Sequence, residues 1–155
     1  MKNILLNAIF SLSLIFLAGV FSITNAQTVS GSIGAVKRGG AAKGTIVMNI
    51  PGGLHVNSNR PNSEFAIPTS VKVSAAGAKV GAVIYPRGKN RKFGFSEDTL
   101  NVYENRAVFN FNVSVPANFK GNVVKVRAVV RYQACTDEVC YAPKSREVTL
   151  TATVK

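Results

Sequence analysis

"NVVKVRAVVRYQAC", Asn122 to Cys135, decides how the rest of the chain is read. Val124, Val126, Ala128, Val130 and Tyr132 fall on one side of an extended backbone, and Lys125, Arg127, Arg131 and Gln133 on the other. Alternate side chains share a face only in a strand, so a period of two predicts a strand with one buried face. The β-branched content points the same way.

The pattern recurs outward in both directions. In "AVFNFNVSV" (107–115) Phe109, Phe111, Val113 and Val115 share a face, with Asn110, Asn112 and Ser114 opposite. "REVTLTATV" (146–154) turns Val148, Leu150, Ala152 and Val154 inward, with threonines between them. Shorter strands are expected at Thr45–Ile50, Ser70–Ala75 and Val80–Tyr85, and a helical turn only at Ser96–Tyr103. The glycine-rich run Gly31–Gly44 reads as a loose start or an edge strand with bends. Pro51-Gly52-Gly53, Arg60-Pro61-Asn62, Ala75-Ala76-Gly77 and Pro116-Ala117-Asn118 supply the turns. About six to eight short strands punctuated this way predict an all-β fold, an immunoglobulin-like antiparallel β-sandwich. The immunoglobulin disulfide joins distant strands beside a Trp; this chain has no Trp and its two cysteines are near neighbours.

The N-terminus supplies the compartment. Lys2, the apolar stretch Ile4–Phe21 and the small residues Thr24-Asn25-Ala26 form the pattern of a secretory signal peptide, expected to span residues 1–26. Residues 27–155 then make one exported domain, expected to be soluble and monomeric, without a membrane anchor or lipid attachment. Of 19 Lys and Arg only Lys2 lies in the leader, leaving 18 against 7 acids. Outside the cytoplasm such a surplus does not argue for nucleic acid. It fits weak attraction to anionic lipid or envelope polymers, an acidic partner, or simply a well-solvated surface.

Export also makes it expected that Cys135 and Cys140 pair. They lie in "YQACTDEVCYAP" (132–143), between two strong strands where a long hairpin turns. Closing so short a loop is worth about 2 kcal/mol by the chain-entropy estimate. Two readings stand at this point: a brace in a basic binding or adhesion module, or a reactive pair. Asp137 and Glu138 lie between the sulfurs, either as proton-handling groups or as solvated loop acids, and Tyr132 and Tyr141 flank them.

Tyr132-Gln133, Cys135, Asp137, Cys140-Tyr141 and Pro143 resemble the active-site hairpin of the N-terminal domain of DsbD, a bacterial reductase that moves electrons to periplasmic disulfide proteins. "GGLHVNSNRP" (52–61), "IPTSVKV" (67–73) and "YPRGKNRKFGFSEDTLNVYENRAVF" (85–109) extend the likeness over most of the mature chain. The resemblance implies an immunoglobulin-like sandwich in the bacterial periplasm whose cysteine pair cycles between dithiol and disulfide. It implies thioredoxin-like proteins as electron donor and acceptor, and a thiol:disulfide oxidoreductase activity of the protein-disulfide reductase type. It also implies a cap loop near Lys89–Asp98, with Phe93 or Phe95 as the lid. The cysteine loop is one residue shorter than in well-known members, and a stand-alone domain with a separate donor is expected.

Within that frame Cys135, prolonging a strand, is expected to be held, and Cys140, past the turn, to be attacked first. Asp137 is the expected proton carrier, with Glu138 weaker; Phe93, Phe95, Tyr132 and Tyr141 are the expected cap and docking residues. No cofactor is expected, and one His with two Cys does not furnish a four-ligand zinc site. His55, the sole histidine, reads as structural. No serine nucleophile or phosphate-binding loop is recognisable.

Overall fold

The computed structural model describes residues 26–155; the expected leader, apart from Ala26, lies outside the described residues. Those residues form eleven strands and no helix: β1 (Thr28–Ile33), β2 (Ala41–Asn49), β3 (His55–Asn57), β4 (Ser70–Ala75), β5 (Lys79–Val80), β6 (Lys89–Lys92), β7 (Thr99–Glu104), β8 (Arg106–Ser114), β9 (Val123–Tyr132), β10 (Ala134–Cys135) and β11 (Lys144–Thr153). They pair antiparallel in three sheets, ordered β1-β2-β8-β5, β11-β9-β4 and β10-β3-β7-β6.

The first two sheets share one core, giving the expected sandwich. Ile46, Met48, Phe109, Phe111 and Val113 from one sheet cluster with Val126, Ala128, Val130, Tyr132 and Leu150 from the other. These are the inward residues of the alternating stretches. Each Val, Ile, Leu, Met or Phe among them contributes about 1.5–3 kcal/mol on burial, so the core, not one short disulfide loop, supports the sandwich.

The third sheet is built by a chain that enters it three times, at β3, β6 and β10. Asn105 separates β7 from β8 with φ 59°, a left-handed conformation that Asn tolerates, and its carbonyl accepts from Ile50 N at 2.7 Å. After β9, Gln133 takes the chain out of the three-stranded sheet, and β10 pairs with β3 instead.

Three expectations are corrected. Ser96–Tyr103 is not helical: a turn at Gly94-Phe95 leads to a bend at Glu97-Asp98, with Ser96 Oγ accepting from Asp98 N at 3.1 Å, and β7 follows with Leu100 and Val102 buried at alternate positions. Val80–Tyr85 is no continuous strand; β5 ends at Val80, and Ile84 rejoins β8 only through a bridge to Asn110. The run Gly31–Gly44 is more ordered than its glycines suggest. Its start is the edge strand β1, but Gly44 lies inside β2, opposite Phe111, whose ring occupies the space that a Cβ would need.

Candidate functional site

The cysteine hairpin is shaped by short-range hydrogen bonds. Thr136 N donates to the Val139 carbonyl at 2.8 Å, and Thr136 Oγ1 accepts from Glu138 N and Val139 N at 3.2 and 3.0 Å. This turn puts Asp137 and Glu138 at an exposed tip. Cys140 returns opposite Cys135, to which it is joined by a disulfide, with Cα atoms 4.0 Å apart. Beyond it, Tyr141 N donates to the Ala134 carbonyl at 2.9 Å and Gln133 Nε2 to the Tyr141 carbonyl at 3.1 Å. Asn57 Nδ2, on β3, anchors Gln133 Oε1 at 3.3 Å.

The two halves of the disulfide differ in access. Cys135 is 0% exposed, whereas Cys140 is exposed and borders an open groove of about 470 Å³ shared with Asn57, Phe65, Phe95, Leu100 and Gln133. Phe65 and Phe95 are 86% and 39% exposed, so Cys140 opens onto a surface carrying two aromatic rings among Ser63, Ser96, Glu97 and Asp98.

On the closed side, Cys135 is the register partner of His55, and His55 on its other flank is the register partner of Glu104. Residues directly opposite in antiparallel strands project from the same face. Cys135, His55 and Glu104 therefore form a row across β10, β3 and β7. Phe93 covers the middle of this row, its ring stacked on His55 at 4.0 Å and 9°, with Phe95 5.4 Å from Phe93. Arg91 holds both oxygens of Glu104 at 2.9 Å, and Lys89 approaches at 3.5 Å.

The electrostatics follow this packing. Burial pushes the His55 pKa below its ordinary 6.5, against the pull of Asp137 and Glu104. Hydrogen bonds from Arg91 hold the Glu104 carboxyl below its usual range. Among the described residues no three His, Cys, Asp or Glu side chains converge to hold a metal ion.

The structure thus brings together Cys135, Cys140, Phe93 and Phe95, on one side of the hairpin or the other. Asp137 shares a hollow with Arg91, Lys92, Phe93 and Glu104. Tyr141 is 47% exposed beside Cys140. Tyr132 is placed differently from the expectation of a docking role: it is 0% exposed and packed in the sandwich core, because it holds the last inward position of β9. His55, read from the sequence as structural, lies opposite Cys135. A lone histidine in a three-residue strand carries no local signal, and only the pairing of β10 with β3 reveals its neighbour.

The sequence matches, over residues 27–152, the family described as "Thiol:disulfide interchange protein DsbD, N-terminal". No curated protein matches it directly. Among solved structures, the N-terminal periplasmic domain of ScsB from Proteus mirabilis superposes with a TM-score of 0.57 at 13% identity, covering 81% of this chain and 46% of that one. The chain therefore spans less than half of that ScsB domain. The Neisseria meningitidis DsbD N-terminal domain in the reduced form gives 0.45 at 19% identity, over 71% of this chain and 80% of that one. At such identities the ScsB likeness speaks for the fold, and the sequence match carries the family. With the hairpin's disulfide in place and the match running from Gln27 to Ala152, this chain belongs to the DsbD N-terminal family of exported, periplasmic redox domains.

Proposed function

We propose that the domain relays reducing equivalents between thioredoxin-fold proteins through the Cys135–Cys140 pair, acting as a thiol:disulfide oxidoreductase of the protein-disulfide reductase type. The observation that carries this reading is the asymmetry of the disulfide: Cys135 sealed in the sheet, Cys140 exposed on a groove that carries Phe65 and Phe95. A brace needs no such access; an exchange site does.

Among the described residues no helix N-terminus acidifies either thiol, and Asp137 and Glu138 oppose a thiolate at the tip. The oxidised pair therefore serves as the electrophile towards a donor. The donor's thiolate attacks Cys140 Sγ, the Cys135–Cys140 bond breaks, and Cys135 takes the electron pair and a proton. The donor's second thiol then displaces Cys140, leaving a reduced pair and an oxidised donor. In the outward half, Cys140 attacks an acceptor disulfide and Cys135 closes on Cys140, releasing the acceptor as a dithiol. Phe93 and Phe95 act as the cap, Tyr141 and Phe95 as docking surface, and Asp137 as a proton carrier at the tip.

Trapping tests the reading. The reduced Cys135→Ser domain, mixed with oxidised thioredoxin, should accumulate a mixed disulfide through Cys140, and Cys140→Ser should not. The opposite result would exchange the two roles. No adduct with either variant, and none with a second thioredoxin-fold protein, would leave the pair a brace.

A further inference from the structure

We infer that His55 is the proton acceptor for Cys135: its imidazole takes up the thiol proton when the reduced pair closes to the disulfide. This rests on the exchange reading above and adds a residue to it.

Closure poses a local problem. Cys135 must become a thiolate to attack, yet it is 0% exposed, and burial disfavours the charged form. Water does not reach it freely, so a neighbouring group has to receive the proton. The titratable and charged groups around it can be taken element by element. On the hairpin, Asp137 and Glu138 are exposed at the tip, and Asp137, in the hollow beside Phe93 and Glu104, favours a proton on His55. On β6, Lys89 and Arg91 are cationic and bound to Glu104, and Lys92 just before the cap loop hydrogen-bonds the Glu97 carbonyl. On β7, Glu104 already spends both oxygens on Arg91.

His55 remains, and it is the nearest in the sheet. It is register partner to Cys135, 3% exposed, and its Nε2 is buried without a hydrogen-bond partner. A buried polar atom left unpaired asks for an explanation, and a proton to be received supplies one. The Phe93 ring fixes the imidazole plane and keeps water off it. The same burial favours the neutral ring, the form able to accept. Once the proton moves, the imidazolium stands beside the Cys135 thiolate, where opposite charges attract, and Asp137 and Glu104 favour the charged ring.

The step balances as follows. In the mixed disulfide, Cys135 S–H gives its proton to His55. The thiolate attacks Cys140 Sγ, the Cys135–Cys140 bond forms, and the Cys140–partner bond breaks. The partner leaves with the electron pair as a thiolate. His55 then returns its proton to the leaving thiolate.

An aromatic disulfide, Ellman's reagent, isolates this step in the reduced wild-type domain. The first thionitrobenzoate released reports attack by Cys140, and the second reports closure by Cys135. In His55→Phe, which keeps a stacked ring, the second phase at neutral pH should slow about 10- to 100-fold while the first is unchanged. Its rate should then climb about tenfold per pH unit, tracking the bare thiol, where the wild type levels off near the His55 pKa. His55→Gln, polar but unable to accept a proton, should be as slow. Unchanged closure in either folded variant overturns the inference, and so does equal slowing of both phases, the mark of a merely structural role. The assay needs no protein partner. Failure to trap thioredoxin would therefore sink the relay, whereas normal closure without His55 would sink only this residue's part in it.

Discussion

Cys135 and His55 face one another across the β10–β3 pair, the sulfur sealed and the imidazole roofed by Phe93. The relationship depends on the sheet change at Gln133. Had β9 run straight into β11 by a tight turn, the cysteines would sit at the end of the three-stranded sheet, away from β3. The leap to the third sheet gives the pair one protected side and one open side.

Burying neutral His55 ties stability to pH. Its folded pKa lies below 6.5, so on acidification the unfolded chain takes up a proton before the folded one does. Stability is therefore fully present above 6.5 and declines as pH falls towards the folded value. Glu104, also depressed, adds a second loss only below its ordinary 4.5. Denaturant titrations of the oxidised domain between pH 7.5 and 5 should show this decline; in His55→Phe the slope over that range should vanish. An equal slope in both proteins would mean that His55 is not the group responsible.

The sequence made the sandwich legible where burial is one-sided. The stretches 107–115, 122–132 and 146–154 are antiparallel strands with one face in the core, so their alternation reports their environment directly. Gly44 was opaque because its role is set by Phe111 on another strand. Leu100 and Val102 lie just beyond the polar bend at Glu97-Asp98, and their spacing reads as a helical turn as easily as a strand. At the site, the family motif made the paired cysteines visible. His55 needed a contact between segments far apart in the chain, which no local pattern encodes.

Tyr132 separates core from surface. Its hydroxyl is buried without a partner, so Tyr132→Phe removes an unsatisfied group and keeps the ring. The melting temperature should hold or rise, with a gain of up to about 1 kcal/mol. Tyr132→Ala should cost about 3–5 kcal/mol through the cavity it leaves. A clear loss in Tyr132→Phe would show that the hydroxyl has a partner, such as a bound water.

The cap phenylalanines should divide their effects. Phe95 is 39% exposed beside Cys140, so Phe95→Ala should leave stability within about 1 kcal/mol. It should speed iodoacetamide alkylation of reduced Cys140 by about two- to fivefold, since a shielding ring is gone. Phe93 is 8% exposed over His55, and Phe93→Ala should cost about 3 kcal/mol. If Phe95→Ala leaves the alkylation rate alone, Phe95 is no cap.

The disulfide itself should behave as a tool with little structural duty. The ring it closes spans a sequence separation of 5, for which the loop-entropy estimate is about 2 kcal/mol. The core residues of β2, β8, β9 and β11 far exceed that, so the Cys135→Ser, Cys140→Ser double variant should fold and lose no more than about 2 kcal/mol. An exchange pair should also be reducible. Equilibrated against a defined thiol buffer, Cys135–Cys140 should show a potential above roughly −250 mV, in the range of thiol-exchange proteins. A value below about −300 mV, with a double variant that unfolds, would identify a brace and leave the exposed Cys140 groove without a redox role.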